Sequence, residues 1–255
     1  MKILFVSGEV KPFVQHTPNA ELLRQLPEYL NDLGNYEIRI MMPRYGTISE
    51  RKNRLHEVIR LSGTSIQIGS RSESFAVKVA SIPGIRLQVY FMDNNFYFKR
   101  KGIFADKEGK IFTDNEERAL YFAHAALATT KNLGWKPDII HTNGWMSAMV
   151  PYLVKTKLAD SPLFEQSRIV HTPDNMGLEV KFSAAKVKQY QLGDERMSDL
   201  NLNSVASLYS DGLAYYEHST VEMPEGAIRL SAVKEELLET AVALYQQLVG
   251  TGALV

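Results

Sequence analysis

The chain has 255 residues and no cysteine, and its 29 lysines and arginines balance 29 aspartates and glutamates. Without cysteine there is no disulfide, thiolate zinc site or cysteine nucleophile, and balanced charge supplies no overall field toward nucleic acid or an anionic membrane. The length fits one large core or two modest ones, and the apolar run Ile3 to Val6 is far shorter than a membrane span or signal core needs. We therefore expect a cytoplasmic protein without nucleic-acid or membrane partners.

In chain order, Ile3 to Val6 and Glu37 to Met42 read as short strands around an amphipathic helix, Ala20 to Leu33, which Gly34 stops. This is a βαβ unit. Residues 54 to 92 change character: Ile66 to Ile68, Phe75 to Val79 and Leu87 to Phe91 read as strands, and Gly63, Gly69 and Pro83-Gly84 as turns, a β-rich excursion. Thr113 to Glu116 has capping-box spacing and opens a helix through Ala119, Phe122, Ala126 and Leu127 that ends near Asn132 before Gly134. Pro137 to His141 reads as a buried parallel strand, Trp145 to Lys155 as a helix and Arg168 to Thr172 as a further strand. The polar stretch Leu178 to Asn201 predicts a mobile loop with some helix. Glu235 to Leu248 has helical spacing with an apolar face that should dock on the domain. The pattern predicts an α/β fold, a Rossmann-like, largely parallel sheet with flanking helices, over residues 1–220, and a helical extension over 221–255.

Ligands of open α/β sheets collect beyond the carboxyl ends of the strands, which selects Glu9, His141, Asn143 and His171. Two histidines and a glutamate in one crevice would make an acid/base or sugar-hydroxyl-binding set; taken singly, each histidine is more often a structural hydrogen-bonding residue. No metal is expected, because no HxxxH or clustered carboxylate-histidine spacing occurs, and no cofactor, because neither Gly-x-Gly-x-x-Gly nor a P-loop follows any strand. The first turn, Val14 to Asn19, contains no glycine where such folds usually cradle phosphate. The aromatics Tyr90, Phe91, Phe96, Tyr97, Phe98 and Phe104 around Asp93 to Asn95 suit either sugar stacking or a loop packed by its own rings. Arg44, Lys99, Arg100 and Lys101 read as solvated charges.

Several ordered blocks carry a resemblance: Lys2 to Phe13, Met42 to Gly46, Tyr90 to Asn94, Asp114 to Arg118, Leu133 to His141, then Trp145, Val150-Pro151, His171 and Gly177. Over roughly residues 1 to 215 the chain resembles the N-terminal, acceptor-side domain of bacterial glycogen synthases and plant starch synthases. These are glycosyltransferases of family 5 that use ADP-glucose. The resemblance implies the N-terminal half of a GT-B fold, with a second GT-B domain not expected in this chain. It implies His171 as the catalytic-site histidine, and Glu9, His141, Asn143 and Trp145 stand beside it as the candidate substrate-binding residues. It also marks departures. The family turn Lys-Thr-Gly-Gly-Leu is replaced by Gln15-His16-Thr17-Pro18-Asn19, and the block His-x-His-Asp-Trp-His by His141-Thr142-Asn143-Gly144-Trp145-Met146. Gln15 has no charge for a phosphate, and Thr17 and Pro18 lack the freedom of glycine. The implied reading is a degenerate domain with a non-catalytic role in binding α-glucan or malto-oligosaccharide, or in regulating a partner. Two alternatives stand beside it: half of a split ADP-glucose-dependent glucosyltransferase completed by a separate donor-domain chain, and an assembly subunit that uses the last helix as its interface.

Overall fold

Strand β1 (Lys2–Ser7) is buried from Ile3 onward, as a parallel strand covered on both faces must be. The computed structural model describes residues 1–250. Helix α1 (Asn19–Asp32) follows, burying Leu22, Leu23, Leu26 and Leu30, and Gly34 turns the chain at φ 77° into β2 (Glu37–Pro43). The excursion then runs through α2 (Glu50–Asn53), β3 (His56–Glu57), β4 (Ser65–Ile68), β5 (Arg71–Ser74), β6 (Ala76–Ser81) and β7 (Gln88–Asp93). The long helix α3 (Asn115–Asn132) leads to β8 (Ile139–Asn143), α4 (Met149–Lys155) and β9 (Arg168–Thr172). Helices α5 (Ala184–Gln189) and α6 (Leu202–Leu208), strands β10 (Gly212–Tyr216) and β11 (Ile228–Leu230), and helix α7 (Lys234–Gly250) complete the described chain.

Among the described residues a nine-stranded sheet has the order β11-β10-β9-β8-β1-β2-β7-β6-β3, with β4 and β5 as a separate hairpin. From β11 to β7 every pairing is parallel, and β6 and β3 are added antiparallel. This is the α/β, largely parallel sheet with flanking helices that the sequence predicts. Strand β1 sits between β2 and β8, so the chain leaves it toward one side and later returns to the other. That reversal opens a crevice at its carboxyl end.

Several local expectations change. Thr113 does not cap α3; Asp114 stands at the cap without a capping side-chain bond, because Arg100 takes both its oxygens at 2.7 and 2.6 Å. The segment from Trp145 begins as a 3₁₀ turn over Trp145–Ser147 before α4. Arg44 is not a solvated charge. It is 5% exposed and pairs with Asp93 at 3.0 Å, which also holds Lys78 at 2.7 Å. Arg100 is half-buried on Asp114, whereas Lys99 and Lys101 are exposed. Tyr97 and Phe98 are fully buried, and Tyr97 stacks on Tyr121 of α3 at 4.2 Å, so these rings pack the loop. Between Leu178 and Asn201 buried Val180, Phe182, Val187, Leu192 and Met197 anchor the irregular chain around α5.

Within 221–255, Ile228–Leu230 extends the sheet before α7 starts. Helix α7 docks as its spacing predicts, burying Leu237, Ala241, Leu244 and Tyr245. Leu244 and Leu248 reach Gly212 of β10, and Lys234 lies 4.5 Å from the ring centre of Tyr29 on α1. Each fully buried side chain of this kind contributes roughly 1.5–3 kcal/mol. No helix among the described residues is long and apolar enough to cross a membrane.

Candidate functional site

The strand register places the site. Ser7 of β1 pairs with Asn143 of β8, and Asn143 with Thr172 of β9, so three strands end level. The residues just beyond these ends, Gly8-Glu9, Gly144-Trp145 and Pro173-Asp174, therefore converge. With Tyr45 from the loop after β2, Gly8, Glu9, Gly144, Trp145 and Asp174 form the walls of a crevice of about 20 Å³, rimmed by His16, Ile103 and Met176. That volume holds about one water-sized group.

Two glycines make the approach possible. A Cβ on Gly8 would stand 2.8 Å from Cβ of Met146, an atom too near the backbone to move aside. Gly144 adopts φ 70°, ψ 175°, and a Cβ there would meet Asp174 Oδ2 at 2.4 Å.

Glu9 is 7% exposed and turned onto the first turn. Its Oε2 accepts the N–H groups of His16 at 2.7 Å and Thr17 at 2.9 Å, and its Oε1 accepts the Thr17 hydroxyl. Thr17 Oγ1 in turn accepts from the N–H of Asn19 at 3.2 Å, and Ala20 N–H bonds to Thr17 O. Pro18 has no N–H. All backbone donors from His16 to Ala20 are thus engaged within the chain, and Gln15 is exposed beside them. Asp174 is also 7% exposed. Its Oδ2 accepts from Trp145 N–H at 2.7 Å, and its Oδ1 from Met176 N–H at 3.3 Å and Asn203 Nδ2 at 3.4 Å. Burial raises the pKa of both carboxyl groups, against the lowering by these donors.

Between the acids lie polar atoms without partners. Asn143 is 1% exposed, and neither its side-chain oxygen nor its nitrogen is hydrogen-bonded; the same holds for the hydroxyl of fully buried Tyr45. Buried groups of this kind are ordinarily satisfied, so the crevice presents unused hydrogen-bonding capacity. Among the described residues no lysine or arginine lines it. Arg118 stands behind Tyr45, its guanidinium 6.0 Å from the ring centre and bonded to the carbonyls of Tyr97 and Ile103. Burial lowers its pKa to about 10.

Of the residues singled out from sequence, Glu9, Asn143 and Trp145 meet in this crevice; the two histidines do not. His141 and His171 lie on opposite faces of the sheet, because Thr142, not His141, is level with His171 and side chains alternate. His141 bonds to Tyr245 of α7 at 2.6 Å and to Thr172 at 2.8 Å, and burial lowers its pKa to about 3. His171 bonds to Thr142 at 2.9 Å and to Asn203 at 3.3 Å, with its pKa lowered by burial to about 4. Sequence reasoning missed Asp174 and Tyr45. Asp174 carries a signal, since it lies two residues past a strand end, as Glu9 does.

Residues 2–232 match the family described as the starch synthase catalytic domain. The chain belongs to that family. Its curated relatives include the glycogen synthase of Chlorobium limicola, 42% identical over 176 residues, covering 69% of this chain and 36% of that protein. The glycogen synthase of Chlorobaculum parvum is 35% identical over 236 residues, covering 92% of this chain and 48% of that protein. The chain thus spans about half the length of these relatives or less. In fold it resembles the catalytic domain of starch synthase IV from Arabidopsis thaliana, solved bound to ADP and acarbose, with a TM-score of 0.69 and 19% identity. That likeness covers 96% of this chain and 50% of the other. The crevice therefore lies at the switch point of a glycogen/starch synthase-type domain with a GT-B glycosyltransferase as its structural neighbour.

Proposed function

We propose that this domain binds neutral α-glucan without transferring glucose, as a glycan-recognition or partner-regulating member of the glycogen and starch synthase family. The observation that carries the reading is the saturated first turn. An anion at the start of α1 needs free N–H donors, and those from His16 to Ala20 are engaged by Glu9 and Thr17 or missing at Pro18. Gln15 brings no charge, where a charge-assisted hydrogen bond contributes roughly 1.5–3 kcal/mol, tenfold or more in affinity. Hydroxyl groups have no such need, and the open amide of Asn143 and the hydroxyl of Tyr45 suit them.

Calorimetric titration with malto-oligosaccharide and, in parallel, ADP-glucose tests the reading. Binding of the oligosaccharide with no micromolar binding of the nucleotide sugar is expected. Transfer of glucose from ADP-glucose to glycogen by this chain alone, at enzyme-like rates, would refute it. A second reading, half of a split enzyme, draws support from Trp145 and Asn143 beside the crevice, and predicts transfer only on mixing with a separate donor-domain protein. The assembly reading loses its surface, because α7 spends its apolar face on its own domain.

A further inference from the structure

Gly144 and Asp174 compete for one position. Asp174 Oδ2 lies 2.4 Å, and its Cγ 3.3 Å, from where a Cβ on Gly144 would be, so a side chain at 144 would have to displace the carboxylate from its place. The family block carries an acid at that place, one residue past the end of β8. Here the acid comes from the neighbouring strand, two residues past the end of β9.

We propose that Asp174 is the specificity-determining carboxylate of the crevice, standing in for the side chain absent at 144, accepting hydroxyls of a neutral saccharide and keeping phosphorylated ligands out. This rests on the α-glucan reading above and names the residue that sets its ligand class.

The hydrogen-bond count leaves room for a ligand. An ionised carboxylate offers about four acceptor positions, and Asp174 uses three, on Trp145, Met176 and Asn203. Its orientation is fixed from behind. Asn203 donates Nδ2 to Asp174, which turns its Oδ1 toward Nε2 of His171, and His171 is held at Nδ1 by Thr142. His171 thus acts on the crevice as a positioning residue, through Asn203. Opposite Asp174 lies Glu9, and between them the unpartnered amide of Asn143 and hydroxyl of Tyr45 each offer a donor and an acceptor.

A sugar hydroxyl, which donates and accepts at once, can satisfy such a set. A phosphate dianion only accepts, and would face two carboxylates with no lysine or arginine among the lining residues. At about 20 Å³ the crevice takes a single hydroxyl or hydroxymethyl arm, with the ring outside.

The test is calorimetric titration of wild type and Asp174→Asn with maltoheptaose and with glucose 1-phosphate. Alongside it runs a thermal-unfolding cycle of Gly144→Ala, Asp174→Ala and the double variant. We expect wild type to bind maltoheptaose and D174N to bind it at least tenfold more weakly, while D174N binds glucose 1-phosphate at least tenfold more tightly than wild type does. G144A should lower the melting temperature less in the D174A background than in wild type, because the atom it strikes is gone. A wild type that binds neither ligand overturns the α-glucan reading and the assignment together. A wild type that binds maltoheptaose, with D174N unchanged toward both ligands, overturns the assignment alone. An additive unfolding cycle overturns the exchange of position 144 for 174.

Discussion

Replacing Tyr245 by phenylalanine isolates a single buried bond between the last helix and the central sheet. Tyr245 and His141 are each 1% exposed, and 2.6 Å separates the phenol oxygen from Nδ1. The other ring nitrogen is already taken by Thr172 at 2.8 Å, so the imidazole cannot turn to find another partner without breaking that bond. The substitution keeps the ring and leaves no methyl-sized hole. Its cost is that of stranding Nδ1 in the core, about 1–3 kcal/mol. For a chain of this size 1 kcal/mol shifts the melting temperature by roughly 2–4 °C, so a loss of about 4–8 °C is expected for a mid-range penalty. Urea unfolding should show a lower midpoint with the slope unchanged, since the exposed surface is the same. A melting temperature within about 1 °C of wild type would refute the claim that this bond pins α7, on the scale that relates stability to melting.

Acid should destabilise the fold early. His141 and His171 are neutral in the folded state, with pKa values lowered by burial to about 3 and about 4, while the unfolded chain takes up these protons near 6.5. Their contribution is full above pH 6.5 and is lost as pH falls through about 4 for His171 and about 3 for His141, at about 3 kcal/mol per pH unit for the pair near pH 5. The raised carboxyls of Glu9 and Asp174 act oppositely, stabilising the fold as they protonate, and offset part of the loss. Urea midpoints that stay flat from pH 7.5 to 5 would contradict this. Asp93→Ala should cost about 1.5–3 kcal/mol, because it takes one charge-assisted bond from buried Arg44 and one from Lys78 and leaves the more exposed Glu50 as the remaining carboxylate for both; equilibrium unfolding measures it. Gly8→Ala should cost about 1–3 kcal/mol by driving a Cβ against Met146, and a melting temperature equal to wild type would remove the close-approach argument.

Strands with continuous apolar runs were legible from sequence: β1, β8 and β9 fall where Ile3 to Val6, Pro137 to His141 and Arg168 to Thr172 place them. Short or polar strands were not. Arg71–Ser74 carries no apolar alternation and is held by pairing with β4, and His56–Glu57 exists only as an edge of β6. Strand ends located the crevice and brought Glu9, Asn143 and Trp145 to it. Whether a histidine near a strand end faces ligand or core depends on register and on a helix some hundred residues later in the chain. Tyr245 decides it for His141. The burial of Arg44 is hidden for a similar reason, since its partner Asp93 reaches it only after β7 folds back beside β2.

Glu9 does for the first turn what a bound anion does elsewhere: it collects the amides and fixes the loop's shape. A loop that supplies its own anion has no need of a visitor to become ordered, and it gains nothing from receiving one. Restoring a lysine at position 15 alone would place a cation beside a seat already taken. An anion at this turn would reach the N–H groups of His16 and Thr17 only if the Glu9 carboxylate released them.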